Sequence, residues 1–210
     1  GTFKLTSKAW EKRWDKNQKT ITHPNLGYFD NTEFNPGSWK SNMPHFAFKY
    51  MTGADGYWAA KIISKFTDEE IKAVVKTGEL SDKAAEDLLT RILIERRDLV
   101  VKYWFEEVSP LENFAIQNSP EGFQVNFEDL SVQKGWVSDR SYHYRAYSLN
   151  GKKKKLIGKG TSPTSMVNVP QTSAEKVLVK ISAANGKNKK SPVTVIFSSE
   201  STPKILSIEH

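Results

Sequence analysis

The 210 residues are 38% hydrophobic, 26% charged and 11% aromatic, the balance of a globular chain and not of a disordered one. There is no cysteine, which excludes disulfides, thiolate metal sites and cysteine nucleophiles together and leaves the compartment open. No apolar run approaches the roughly 18 residues a membrane helix needs, so no membrane span is expected. The net charge of +7 is unevenly placed. Residues 1–110 hold 17 Lys and Arg against 16 Asp and Glu, and residues 111–210 hold 14 against 8. The first residue is Gly1 instead of Met, as in a processed chain, so the chain is expected to be a fragment of a longer protein, and the lack of a signal-peptide pattern says little about that parent.

The first fifty residues carry few regular signals. Trp10 and Trp14, four apart among lysines, suit a short amphipathic helix. Residues 20–41 are rich in Asn, Pro, Gly and Thr and read as an irregular, packed loop. From residue 52 the pattern is helical. Thr52-Gly-Ala-Asp55 and Thr67-Asp-Glu-Glu70 are capping-box sequences. The first opens a helix with Tyr57, Trp58, Ile62 and Phe66 at helical spacing; the second opens one closed by Gly78 at C′. Ser81 is expected to cap a third, longer helix, with Asp87–Arg91 and Asp98–Lys102 as i,i+4 pairs and Pro110 just past its end.

Beyond Pro110 the apolar period drops from 3.6 to 2. Phe123, Val125 and Phe127 alternate with polar residues, as do Tyr142, Tyr144 and Ala146. The same holds for Val177, Val179 and Ile181 and for Val193, Val195 and Phe197. Asn150-Gly151 and Asn185-Gly186 are hairpin signals between such runs. Several short strands at this spacing predict an antiparallel sandwich.

Two resemblances follow. Gly122-Phe-Gln-Val-Asn-Phe127, Tyr142-His-Tyr-Arg-Ala-Tyr147 and Lys176-Val-Leu-Val-Lys-Ile-Ser-Ala-Ala-Asn-Gly186 resemble the second, third and sixth strands of a fibronectin type III domain. Phe127 stands in place of that family's usual Trp, and Val177 in place of its corner Tyr; another immunoglobulin-like sandwich is the alternative. In the helical half, Phe34-Asn-Pro-Gly-Ser-Trp39, Met43-Pro-His-Phe-Ala-Phe48, Asp55-Gly-Tyr-Trp-Ala-Ala-Lys-Ile62, Phe66-Thr-Asp-Glu-Glu-Ile71, Val75-Lys-Thr-Gly78 and Leu93-Ile-Glu-Arg-Arg-Asp98 follow one another. This succession resembles the C-terminal region of a family of large, uncharacterised bacterial proteins with a kinase-like upstream part. The kinase-like elements themselves lie outside the stretch, so the resemblance implies no catalytic residue and places the chain at the tail of a longer protein.

Each candidate for chemistry meets a structural alternative. His23, His45, His143 and His210 lack ligand spacing, so no metal site is expected. Asp68-Glu69-Glu70 and Glu86-Asp87 fall in first helical turns, where carboxylates complement the helix dipole. Arg96 and Arg97 point about 100° apart on a helix; they are expected to anchor the 20–50 loop, the alternative being an anion site shared with an upstream part. Trp39, Trp58, Trp104, Phe46, Phe48 and Tyr57 are expected to form a core rather than a ligand platform. Lys152–Lys155 and the run Lys187, Lys189 and Lys190 are expected at opposite ends of the sandwich, as solvated turns unable to follow one phosphate backbone. Trp136, in the connection between the second and third strands and near Lys187, Lys189 and Lys190, is either a recognition ring or one folded back onto the protein.

The expectation is therefore an α+β, two-domain chain: an irregular segment and small helical module over residues 1–110, then a fibronectin type III-like antiparallel sandwich over 111–210. The function expected is that of a non-catalytic docking and protein-interaction module, without cofactor. Its partner would be an upstream domain of the same parent protein or another protein, not nucleic acid. The alternatives are an accessory subdomain of a kinase-like enzyme and a cell-envelope glycan-binding module. Sandwiches of this type in bacteria suggest a periplasmic or envelope location by analogy of fold alone.

Overall fold

The structure, a computed structural model, describes residues 23–27, 29–39, 45–183 and 192–210. Trp10, Trp14, Asn185-Gly186, Lys187, Lys189 and Lys190 lie outside the described residues. The protein is α+β, with five helices among the described residues and two antiparallel sheets. The chain separates into two compact units, Gly1–Tyr50 with Trp58–Tyr103, and Met51–Tyr57 with Trp104–His210.

The helices are α1 (Phe46–Lys49), α2 (Gly53–Ile63), α3 (Asp68–Lys76) and α4 (Lys83–Glu107), with α5 (Leu130–Gln133) between two strands. Both capping boxes form. The Thr52 N–H donates to Asp55 Oδ2 at 2.8 Å, while the Asp55 N–H reaches Thr52 Oγ1 at 3.3 Å. Thr67 and Glu70 make the same exchange at the start of α3, satisfying donors that a first helical turn leaves over. Gly78 does follow α3, but the left-handed conformation falls on Glu79, at φ 48. The cap of α4 is Asp82, not Ser81: its Oδ1 accepts from the Ala84 N–H at 2.8 Å. The charged pairs on α4 also differ from those expected. Lys83 takes Glu86 and Asp87, and Arg91 reaches forward to Glu95 at 2.9 Å. Lys83 and Arg91 thus each reach a carboxylate one turn toward the C-terminus, and Asp87 pairs with Lys83 while Asp98 pairs with Arg97.

The strands are β1 (Leu111–Ser119), β2 (Gly122–Asp129), β3 (Tyr142–Asn150), β4 (Lys153–Ser162), β5 (Met166–Pro170), β6 (Lys176–Ala183), β7 (Val193–Ser198) and β8 (Ile205–Glu209). One sheet has the order β1-β2-β5 and the other β4-β3-β6-β7-β8. Alternation places Phe123, Val125 and Phe127 of β2 inward, facing Val177, Val179 and Ile181 of β6 and Val193, Val195 and Phe197 of β7, all buried. Rings join the two sheets: Phe123 meets Phe197 edge-on at 5.3 Å, and Phe127 meets Tyr142 at 4.9 Å. Removing any one of these rings would cost about 3–5 kcal/mol. The β3–β4 hairpin closes at Asn150↔Lys153, so the Asn-Gly pair does mark the hairpin, but the two loop residues are Gly151, at φ 57, and Lys152, while Asn150 ends β3.

Candidate functional site

The two units dispose of their apolar residues differently. The sandwich buries a continuous core, whereas the described buried apolar residues of the helical unit are Ala60, Val75, Ala85, Ile92 and Val101. Two of the five are alanines, which fill little space. The large rings expected in that core lie outside it. Trp39, Phe46, Phe48 and Trp58 are all more than half exposed, with Phe46 at 77% and Trp58 at 64%. Among the six aromatics expected to form a core, Tyr57 is buried and Trp104 half-buried.

The cause is visible in α2. Its sequence Gly-Ala-Asp-Gly-Tyr-Trp-Ala-Ala-Lys-Ile-Ile is apolar around nearly its whole circumference. A helix of this kind can bury one face within its own chain and must leave the other open, unless something else covers it. Tyr57 and Ala60 occupy the buried side. Trp58, Ile62 and, just past the helix, Phe66 follow at intervals of four residues, and all three are exposed. Elsewhere in the unit exposed rings shelter one another: Trp39 stands edge-on to Phe48 at 5.2 Å, and Phe46 tilts over Tyr50 at 4.5 Å.

Beside this stripe lies a cleft of about 400 Å³ lined by Ile63, Phe66, Ile71, Val74, Leu93 and Val100, with Arg96 and Arg97 completing it. Val74 is 66% exposed although it sits on an amphipathic helix. The two arginines are spent on the fold. Arg96 Nη2 donates to the Asp30 carbonyl at 2.7 Å and its Nε to Asn31 Oδ1 at 3.0 Å, with the guanidinium 4.4 Å from the centres of both the Phe29 and Phe34 rings. Burial holds its pKa below the ordinary value, with the Asp30 charge acting the other way. Arg97 donates to the Phe66 carbonyl at 2.8 Å and pairs with Asp68 at 2.8 Å and Asp98 at 2.9 Å. Burial works against its charge, but those two carboxylates outweigh it and raise its pKa. Arg96 thus anchors the loop before α1, and Arg97 fixes the turn between α2 and α3. The guanidiniums are turned to carbonyls and carboxylates of the chain, which is the geometry of anchors.

The other candidates among the described residues take the following places. Trp136 is half-buried and stands edge-on to Phe105 at 6.1 Å, so its ring is folded back onto the protein. Lys152 occupies the β3–β4 turn, while Lys153, Lys154 and Lys155 already belong to β4. His23 pairs with Asp82 at 3.1 Å, the His45 ring caps α1, and His143 meets Thr161 Oγ1 at 2.8 Å. Among the described residues no three His, Cys, Asp or Glu side chains converge as metal ligands do, and no helix is long and apolar enough to cross a membrane.

Two polar clusters were not anticipated from the sequence. The Tyr57 hydroxyl donates to Glu112 Oε1 at 2.9 Å, and His210 Nε2 stands 3.3 Å from the same oxygen. Burial, reinforced by Glu112, pushes the Tyr57 pKa far above the ordinary phenol value. The second cluster joins buried Asp129 to Arg140 and Tyr142. Asp129-Leu-Ser-Val did carry a usable signal, because Asp before a short apolar turn is a cap sequence. No protein-family model matches the chain, and no curated protein sequence matches it.

Proposed function

We propose that the protein is a non-catalytic docking and protein-interaction module whose helical unit buries its open apolar face against a protein partner, with the sandwich as a spacer or protein-binding module. One observation carries this reading: Phe66 and Val74 stand open to solvent at an apolar cleft, and Trp58 and Ile62 are exposed on the helix that precedes it. Exposed apolar surface of this kind marks interaction sites, and Trp, exposed here at position 58, is among the residue types most enriched in binding hot spots. The partner under this reading is the upstream region that the resemblance of the helical half implies. The engagement of Arg96 and Arg97 within the chain supports it over an accessory subdomain of a kinase-like enzyme, which would present them to an anion. The position of Trp136 against Phe105 supports it over glycan binding, which would need a row of open rings.

The sandwich supports the fibronectin type III-like reading in one respect. The three segments that resemble the second, third and sixth strands of that family form β2, β3 and β6. Hydroxyl-radical footprinting of the parent polypeptide tests the function. Trp58, Phe66 and Val74 are expected to be protected there relative to the 210-residue chain alone, and Trp58→Ser with Phe66→Ser to abolish that docking. Equal labelling of the three side chains in both samples would overturn the reading.

A further inference from the structure

Strand register gathers cations on the outer face of the five-stranded sheet that the sequence keeps apart. On β3 the inward residues are Tyr142, Tyr144 and Ala146, so Arg145, Tyr147 and Leu149 face outward. On β6 Val177, Val179 and Ile181 face inward, leaving Lys176, Leu178 and Lys180 outside. Arg145 lies directly across from Lys180 on one side and from Lys159 of β4 on the other. Three cations therefore stand side by side on adjacent strands, at about 4.8 Å per strand. The same rung continues through Thr194 to Glu209, two strands beyond Lys180.

Like charges directly opposite one another destabilise a sheet, so this row calls for a cause. Edge protection accounts for lysines on β4, which is an outer strand. It does not account for Arg145 and Lys180, which are on the interior strands β3 and β6. Among the described residues no carboxylate forms an ion pair with Lys154, Lys159, Arg145, Lys176 or Lys180. The adjoining rung is apolar, running Leu156, Tyr147, Leu178, Ile196. Beyond it Lys154, Leu149 and Lys176 form a second basic rung, with Lys154 Nζ 4.0 Å from the Tyr147 ring centre. Where the apolar row ends, Leu149, Ile196 and Leu206 line a depression of about 400 Å³ flanked by Lys176 and Glu175.

We propose that this outer face binds an acidic peptide segment of another protein, with carboxylates on the two basic rungs and one large apolar side chain in the Leu149–Ile196–Leu206 depression. The pattern fits that partner better than other polyanions. A single-stranded nucleic acid needs stacking rings beside its phosphate contacts, and the described ring of this row, Tyr147, already faces Lys154. Leu156 and Leu206 are exposed apolar side chains on this face, but the depression lined by Leu149, Ile196 and Leu206 is shaped to receive one side chain, which a peptide supplies and a flat bilayer surface does not. Recessed pockets that accept one large apolar group are where protein interfaces concentrate their binding energy.

Fluorescence anisotropy with a labelled peptide of alternating Glu and Ser, bearing one central Phe, tests the proposal. The peptide is expected to bind at low salt and to weaken as salt is raised. Arg145→Glu with Lys180→Glu should lower its affinity about tenfold or more. Leu206→Ser should erase its advantage over the same peptide with Ser in place of Phe. Should the double variant melt at a lower temperature than the parent, the exposed Lys159→Glu on the edge strand provides the charge test instead. Absence of binding at low salt, indifference to charge reversal, or tighter binding of oligothymidylate or phosphatidylserine vesicles would each overturn it. Trp58→Ser should leave the peptide affinity unchanged, which separates this face from the helical one.

Discussion

Arg140 Nη1 donates to Asp129 Oδ2 at 2.8 Å, with the carboxylate fully enclosed and the guanidinium side chain 5% exposed. The same carboxylate accepts from the Ser131 N–H at 2.9 Å, the Val132 N–H at 3.3 Å and the Tyr142 hydroxyl at 3.2 Å. One residue at the end of β2 therefore caps α5, orients the approach to β3 and neutralises a buried cation. Asp129→Ala leaves that cation without its partner and should cost about 3–5 kcal/mol. Removing both charges, as Asp129→Ala with Arg140→Met, should cost distinctly less than Asp129→Ala alone. Urea denaturation of the two variants decides it, and equal midpoints would mean that the buried charge is not what matters.

Arg96 is an anchor whose loss should be felt locally. It joins α4 to residues 29–34 through two charged hydrogen bonds and two ring contacts. Lysine cannot reproduce a planar fork held between two rings. Arg96→Lys should therefore weaken the loop by roughly 1–2 kcal/mol without unfolding the sandwich. Limited proteolysis at Phe29 and Phe34 should accelerate about tenfold, while β2, β3 and β6 keep their slow amide exchange. An unchanged cleavage rate would show that the loop is held by other contacts.

These residues also show where sequence reasoning stops. β2, β3, β6 and β7 were legible because each alternates strictly, one side on the core. β4 was not: as an outer strand of lysines and glycines it buries no residue completely. β1 hid itself in another way, since Asn113 at φ 52 and a register shift between Glu112 and Ala115 break its alternation. In the helical half the spacing of Trp58, Ile62 and Phe66 is right for a packed stripe. On a helix apolar all round, spacing cannot say which stripe the chain itself covers. The Lys159–Arg145–Lys180 row was invisible for a further reason, because it exists only once strand register is fixed.

Alkaline stability should report on Tyr57. Burial first, then the charge of Glu112, raises its folded pKa above the unfolded value, which is about 10. For a group shifted upward, the stabilisation is complete below the unfolded pKa and is lost as pH climbs toward the folded one. Tyr142, raised by burial, acts with the same sign. Urea midpoints should thus show no tyrosine-linked change up to about pH 9 and fall steeply above about pH 10. Tyr57→Phe gives up one hydrogen bond, costing about 1 kcal/mol near neutrality, and should make the alkaline decline shallower. Parallel declines in the two proteins would assign the effect elsewhere.

Two glycines of α2 should respond to alanine with opposite signs. Helix propensity alone favours both changes, by up to about 1 kcal/mol in a helix interior. At Gly53 an added Cβ would meet only Val108 Cγ2, at 3.5 Å, an ordinary contact. At Gly56 it would fall 2.6 Å from three atoms of the Trp104 indole, so the ring or the helix must move. Overpacking of that kind costs about 1–3 kcal/mol, enough to overturn the propensity gain. Gly53→Ala should raise the melting temperature slightly, and Gly56→Ala should lower it while altering the near-ultraviolet circular dichroism of Trp104. A stabilised Gly56→Ala protein would mean that Trp104 can leave the α2 surface at little cost.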